Sequence, residues 1–517
     1  MQKNRISMEY LHALQAVYYQ IDRRGIVVDK QRLRDASHYI DTDINRQCAI
    51  VSRIWNIPCY IGAANKPEAK LGSSINLNSS SGDNTPLAHL KRMGFTIPKT
   101  SGRDEDGNYI SKESLAELTL QKIYATNQFN VPGGDPAIRA LLRIRELGTL
   151  RARYINANLY RSGGFELFLT NYNCAGTVTG RRGSRKHSFG FGGNAQNFPK
   201  HGELAKIFRR CLVARPGKIL LMVDQMQAED WPTSALANNT EALDDLRSGI
   251  DRHRKLGCLI FDIPWDHYTD SQWKESIERF LGKKTRHANN YGMRGGTMSD
   301  SLAKEGYSLT PQQCTNILTK VNQVDPSVDG VFHKYIKDCL YANRTLRTPF
   351  GRERIFFGLR GGETGSNNKI FNEAYSYIPQ STVGDNNGFA VYELETGNDS
   401  TRGKIIQECH DSIVQEIDDS VESIWNFMQV TKAAYSRRIV FHNGIEVEIP
   451  VEGEIAFDFY NTVTIKARNG SKKLEDITYQ DVQAAYYKLK ENQEKERQSD
   501  AATQTQHELD QQLCGGA

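Results

Sequence analysis

No stretch of this sequence is apolar for long enough to cross a bilayer, and its first ten residues, MQKNRISMEY, hold no apolar targeting core. The nine cysteines, at 48, 59, 174, 211, 258, 314, 339, 409 and 514, include no CxxC pair, which argues against a zinc site and for reduced thiols. Charge of one sign is also scarce. Against 61 Asp and Glu stand 66 Lys and Arg, and a formal +5 is too small to announce nucleic acid by itself. These absences leave a soluble protein of the cytoplasm as the expectation. With 517 residues, 38% of them hydrophobic, there is length for several domains and a sizeable core.

What is present centres on Lys218 to Ala235, KILLMVDQMQAEDWPTSA. Lys218 to Val223 has the length and flanks of a buried strand, and Asp224 follows at its end, then Gln227 and Glu229. A carboxylate on a rigid strand end can hold a divalent metal, although most such Asp residues form turns or caps. A second strand-like run, Lys404 to Ile417, carries His410-Asp411-Ser412 at its centre. Between the two acids lies Arg279-x3-Lys283-x7-Tyr291-Gly292. Arg279, Lys283, His287 and Tyr291 are each four apart, so they fall along one helix face.

Earlier in the chain, apolar spacing predicts helices over 8–22, from Asp29, and over Leu87–Met93, Lys112–Tyr124 and Asp135–Tyr160. A Gly/Ser/Asn-rich link, Gly72 to Thr85, interrupts them. Arg139, Arg143, Arg145, Arg151 and Arg153 read equally as a solvated face or as a helix laid along phosphates. The segment from Gly176 to Pro199 combines glycine with Arg181, Arg182, Arg185 and Lys186 and with Asn194, Gln196 and Asn197. That composition suits a nucleic-acid contact and a surface loop alike. Near the end, Val482, Ala485, Tyr486 and Leu489 predict one short amphipathic helix, and the polar Glu491–Ala517 an unordered tail.

Taken together, these segments resemble the family A DNA polymerases, the bacterial DNA polymerase I family. Thr179-Gly180-Arg181 with Asn194-x-Gln196-Asn197-x-Pro199 is similar to that family's TGR…NxQNxP segment. Asp224-x2-Gln227-x-Glu229 resembles its motif A, Arg279-x3-Lys283-x7-Tyr291-Gly292 its motif B, and His410-Asp411 its motif C. Thr348-Pro-Phe-Gly-Arg352 and Gln380 resemble two further palm segments. The likeness runs with gaps from about Arg24 to Ile465.

The resemblance implies an α+β right-hand fold, with an antiparallel-sheet palm and helical fingers and thumb. It divides the chain into an N-terminal helix plus thumb (1–165), a first palm portion (166–239), fingers (240–328), a second palm portion (329–466) and a C-terminal helix with tail (467–517). It implies template-directed addition of dNTPs to a primer 3′ end, on primer–template DNA. Two Mg²⁺ ions, with Mn²⁺ as a substitute, would be held by Asp224 and Asp411 and would stabilise attacking and leaving oxygens. By the same resemblance Arg279, Lys283, His287, Tyr291, His253, Gln227 and Glu229 meet the nucleotide. Arg181, Asn194, Gln196, Asn197, Gln380, His410 and Arg352 would meet DNA. The resemblance begins by about Arg24, which leaves no room ahead of it for the 3′–5′ exonuclease the family often carries, so this chain is expected not to proofread. A separate exonuclease or processivity factor is a candidate partner, and a phage-like origin is expected.

Two positions depart from the family. Ser412 stands where it usually has Glu, and His-Asp-Ser is the form carried by single-subunit RNA polymerases. His287 stands where it usually has Phe or Tyr. An RNA polymerase-like enzyme therefore stays open, as does a catalytically inactive DNA-binding replication factor. Glu229 favours deoxynucleotides, because it matches the Glu that closes the space beside the sugar 2′ carbon.

Overall fold

The computed structural model describes residues 5–62, 74–79, 83–103, 109–113, 115–131, 134–200, 202–359, 367–397 and 403–514. Its centre is an antiparallel sheet of five strands in the order Ile405–Cys409, Ser412–Asp418, Lys218–Gln225, Val451–Ala456 and Thr462–Thr464. Lys218–Gln225 is therefore a middle strand, hydrogen-bonded on both edges, which suits its near-continuous apolar run. Alternation sends Ile219, Leu221 and Val223 to one core, shared with Val383, Phe389, Ile424 and Met428. Leu220 turns to the other face, with Ile406, Val414, Phe198 and Phe208.

The first core is roofed by the 29-residue helix Asn368–Thr396 and by Val421–Tyr435. Two glycines of the long helix admit arginines from the 176–199 segment. A Cβ on Gly388 would lie 1.4 Å from the Arg182 guanidinium, and one on Gly384 would meet Arg181 at 3.2 Å. Arg182 donates to the Gly384 carbonyl at 2.6 Å, so close approach is used for hydrogen bonding.

The second core gathers the N-terminal helices Lys30–Trp55, Glu117–Thr126 and Pro136–Leu150. Asp29 and Asp135 cap two of these, each accepting two backbone N–H groups. A third cluster, Leu281, Ala288, Met298, Leu302, Cys314 and Leu318, joins Ile277–Asn290, Gly295–Lys304 and Pro311–Val324.

Several expectations change. Lys404–Ile417 is not one strand but a hairpin, with His410 and Asp411 in its turn. Lys112 and Glu113 end a strand, Tyr109–Glu113, and the next helix starts at Glu117. The helix from Pro136 ends at Leu150, loosens into a π-turn over Arg151–Ile155, and gives way to the strand Tyr160–Ser162. Arg143 and Arg151 of that region pair internally, with Asp43 and Glu203 and with Asp41. Sections of the Gly72–Thr85 link, residues 72–73 and 80–82, lie outside the described residues. The polar C-terminus continues one helix, Tyr479–Cys514, whose Val482, Ala485 and Leu489 are buried. No helix among the described residues is long and apolar enough to cross a membrane.

Gly192 shows how tightly the 176–199 segment is seated. Its φ is +56°, and a Cβ there would stand 1.8 Å from the Leu169 carbonyl oxygen. Gly190, at φ +80°, has nothing within 4 Å of that position. Gly190→Ala should therefore cost only the left-handed penalty, ~1 kcal/mol. Gly192→Ala should cost a further ~1–3 kcal/mol because backbone must move. Urea midpoints of the two variants measure the difference, and equal midpoints would refute this seating.

Candidate active site

Sheet register brings the two expected acids together. Asp224 pairs with Ser412 on one side and Glu452 on the other, and the Gln225 N–H donates to the Asp411 carbonyl at 3.2 Å. Asp411 stands in the hairpin turn, where its N–H donates to the Cys409 carbonyl at 2.8 Å. The turn holds His410 at φ +63°, a conformation costly for a residue with a Cβ. Ser412 Oγ donates back to the Cys409 carbonyl at 3.0 Å, so this hydroxyl braces the turn.

Burial pushes the Asp224 carboxyl well above the ordinary carboxylate range, and the like charges of Asp411 and Glu452 add to the effect. A bound cation reverses that penalty. The donor set suits a hard divalent ion, with one carboxylate on a strand end, one in the adjoining hairpin turn, and no thiol or imidazole required. Among the described residues no cluster of three or more His, Cys, Asp or Glu side chains could hold a metal ion. Further positions would fall to water and substrate oxygens, as magnesium prefers.

Beneath this pair lies a braced floor. Glu408, two residues before His410, is fully buried and accepts from Gln196 Nε2 at 2.9 Å and Asn387 Nδ2 at 2.8 Å. Burial raises its carboxyl to about 7, against the pull of Arg182. Tyr172 OH donates to the Glu408 carbonyl and accepts from the Glu408 N–H, each at 3.0 Å. Gln225 is held by Asn386 at 2.8 Å, and Arg352 grips Asp385 through Nε and Nη2 at 2.9 and 2.7 Å.

The helix Ile277–Asn290, capped by Ser276, carries the next group of expected residues. Its buried side is Leu281, Gly282, Thr285, Arg286, Ala288 and Asn289. Lys283 and His287 are exposed on the other side, and Arg279 is half-buried. Arg279 donates to Asp251 at 2.6 Å, and His253 stands 3.6 Å from the same carboxylate. Tyr291 sits just past the helix end, buried, with the His287 ring edge-on at 4.7 Å. Its hydroxyl donates to Glu229, which also accepts from Arg181. Desolvation pushes the His287 imidazole below its ordinary range, so the ring is neutral at pH 7.

The expected residues are thus distributed unevenly. Asp224, Asp411 and His410 meet at one sheet end, while Glu229, Tyr291 and Arg181 form a second knot and Arg279 and His253 a third around Asp251. Gln227, at φ +46°, has a buried side-chain oxygen without a partner, and so has His410 at Nδ1. Gln196 and Arg352 are engaged by protein carboxylates. Asn194 caps the turn Ala195–Asn197 and accepts from Ser184, Asn197 is exposed, and Gln380 is half-buried after Pro379. Glu408, Asp385 and the buried Asp230, with Arg286 at 3.1 Å and Asn290 at 3.2 Å, were not anticipated. A buried acid inside an apolar or amide-rich run was the only signal for them.

Comparison with known proteins matches this arrangement to one family. The model for DNA polymerase family A matches residues 64–460. The thermostable DNA polymerase I of Thermus filiformis is 21% identical over 447 residues, covering 86% of this chain and 46% of that protein. DNA polymerase I of Pseudomonas aeruginosa is 25% identical over 334 residues, 60% of this chain and 32% of that one. The chain thus spans less than half the length of these relatives. The fold is similar to the POL domain of Pol1 from M. smegmatis in complex with DNA primer-template and dNTP. That likeness has a TM-score of 0.66 at 17% identity, over 87% of this chain and 70% of that one.

The raised Asp224 carboxyl gives a stability test. The folded chain keeps this proton at pH values where the unfolded chain has lost it. The group therefore destabilises increasingly as pH rises above about 4. Without metal, Asp224→Asn should melt above wild type at pH 7, with the gap closing toward pH 4. Mg²⁺ should raise the wild-type melting temperature and barely move the variant. A variant that melts lower at pH 7, with no Mg²⁺ response in wild type, would remove the metal assignment.

Proposed function

The chain belongs to DNA polymerase family A, and on that premise we propose that it extends a primer 3′ end on a DNA template with dNTPs. The observation that carries this reading is the meeting of Asp224 and Asp411 across the register of one middle strand and one hairpin turn. Mg²⁺, or Mn²⁺ in its place, would be held by these two carboxylates and would supply charge stabilisation to the attacking and leaving oxygens. Lys283 and Arg279, one turn apart on the face opposite the helix's buried side, offer cationic donors to a triphosphate. His253 adds a donor beside Arg279. His287 offers a flat neutral ring to the base or sugar, and the orphaned oxygen of Gln227 an acceptor.

Sugar choice rests on Glu229. Its carboxylate is held from two sides by Tyr291 and Arg181, so it cannot swing away to admit a 2′-hydroxyl without breaking a charged contact. That restraint favours DNA over RNA synthesis. Ser412, the feature shared with RNA polymerases, has its hydroxyl engaged within the turn.

In this reading 166–239 and 329–466 are the two palm portions, 240–328 the fingers and 1–165 the N-terminal helix and thumb, with 467–517 appended. Arg181, His410, Asn194, Asn197 and Gln380 line the DNA side, while Gln196 and Arg352 act through the carboxylates they hold. The eight cysteines from Cys48 to Cys409 are free, which supports a reducing cytoplasm, with a phage-like origin belonging to the same proposal. A separate exonuclease or processivity factor would be an added partner.

Primer extension with dNTPs or rNTPs, with and without Mg²⁺, tests the reading. Asp411→Asn should abolish extension while leaving primer–template binding near wild type, because the phosphate contacts come from elsewhere. Binding without any extension by wild type would favour the inactive factor, and a preference for rNTPs the RNA polymerase-like enzyme.

Glu229→Gly should raise rNTP over dNTP insertion about tenfold or more, ~1.4 kcal/mol of differential transition-state binding. Tyr291→Phe, which frees one side of the carboxylate, should shift the ratio in the same direction by less. An unchanged ratio in Glu229→Gly would move sugar selection elsewhere.

A further inference from the structure

Between Glu166 and Glu203 the chain has five Lys or Arg residues and no acid. Within this span Asn171–Asn173 and Gly183–Arg185 pair as a short antiparallel ladder, and residues 186–193 fold back beyond it. That return is tied at several points. His187 N–H donates to the Phe191 carbonyl at 3.1 Å and Gly190 N–H to the His187 carbonyl at 2.8 Å. Gly192 N–H reaches the Asn158 carbonyl at 2.7 Å, and Gly193 N–H the Leu169 carbonyl at 3.0 Å.

The two aromatics of the turn point opposite ways. Phe191 packs inward, edge-on to Tyr160 at 5.2 Å and against the cluster of Leu167 and Leu169. Phe189, at the tip, is 82% exposed, more than any other large hydrophobic side chain among the described residues. Beside it Arg185 and Lys186 are exposed as well. A singly exposed apolar residue is ordinary in itself. Here the turn that carries it is hydrogen-bonded, and the ring lies 5.4 Å from that of His187 within the same turn.

Position supplies the occupant. The same segment carries Arg181 on Glu229 at one end and Gln196 on Glu408 at the other; the Arg181 charge reaches His410, and Gln196 lines one cleft with Asp224. Ser184 and Asn194 are bonded to each other across its base, and Phe189 is five residues from each. Five residues reach at most about 18 Å. Along a duplex, with ~3.4 Å per step, that is about five base pairs.

We infer that Phe189 is a DNA-duplex contact, an apolar wedge pressed into the minor groove of the primer–template within about five base pairs of the primer end, with Arg185 and Lys186 on flanking phosphates. One ring between cations matches a groove wedge. A single-strand platform instead presents rings to successive bases. The inference rests on the polymerase reading above.

The test is anisotropy of labelled primer–template and of single-stranded DNA with the full chain, across a salt series, alongside primer extension. Phe189→Ala should weaken duplex binding about tenfold, with single-strand binding and the salt slope unchanged. Phe189→Trp should restore affinity, and the melting temperature of both variants should equal wild type. Arg185→Ala or Lys186→Ala should each lower the salt slope by about one. In wild type but not Phe189→Ala, 2-aminopurine should brighten at one of the five primer positions nearest the end. A Phe189→Ala protein that binds and extends like wild type overturns this inference alone. Equal losses on duplex and single strand overturn the wedge in favour of a stacking platform. Wild type that neither binds nor extends primer–template overturns both this inference and the polymerase reading.

Discussion

Everything in this molecule answers to one electrostatic problem, which is how to hold Asp224 beside Asp411 and Glu452 in a poorly solvated cleft. Burial of the Asp224 carboxylate opposes folding, and the like charges beside it add to the opposition. The backbone overcomes both because Asp224 is not free to move. It lies in a middle strand with ladders on both edges, while Asp411 is fixed by a turn that holds His410 at φ +63°. Strain and repulsion of this kind persist only where the surroundings over-determine the geometry.

The surroundings do so through buried polar contacts rather than apolar packing alone. Glu408, Asp385, Asn386, Asn387 and Gln225 are all buried, and each has a partner on another element. Arg182 enters through the space left by Gly388, and its charge opposes the rise of the Glu408 carboxyl to about 7. Removing one member would strand its partner without solvent, a loss larger than the net worth of the bond. The long helix Asn368–Thr396 is therefore less a structural strut than the back wall of the acid pair, which explains why its buried face is so polar.

Much of this was legible in the sequence, and the exceptions have physical causes. The middle strand, the basic helix and the capped N-terminal helices follow from runs and periods that depend only on neighbours in the chain. The hairpin at His410 was not legible, because its strands continue one apolar pattern and no Gly or Asn marks the turn. Arg352 is expected to meet DNA, and its bidentate pairing with Asp385, 33 residues away, has no mark in the sequence. Gln196 likewise turns inward to an acid 212 residues distant. Long-range charge pairing leaves no local trace, so arginine and amide roles were the least readable aspect of the site.

Close helix packing also sets the charge around Arg279. The helices Arg252–Phe261 and Ile277–Asn290 cross at Gly257 and Gly282, where a Cβ would come within 2.7 Å of the Glu278 carbonyl and 2.2 Å of the His253 carbonyl. That approach puts Asp251, the N-cap of the first helix, on Arg279 of the second. Arg279 is thus already neutralised, whereas Lys283 one turn on is exposed. A polyanion arriving at this face would meet an unpaired ammonium first and would have to compete with Asp251 for the guanidinium. Pairing with Asp251 therefore fixes the Arg279 guanidinium where the two helices cross.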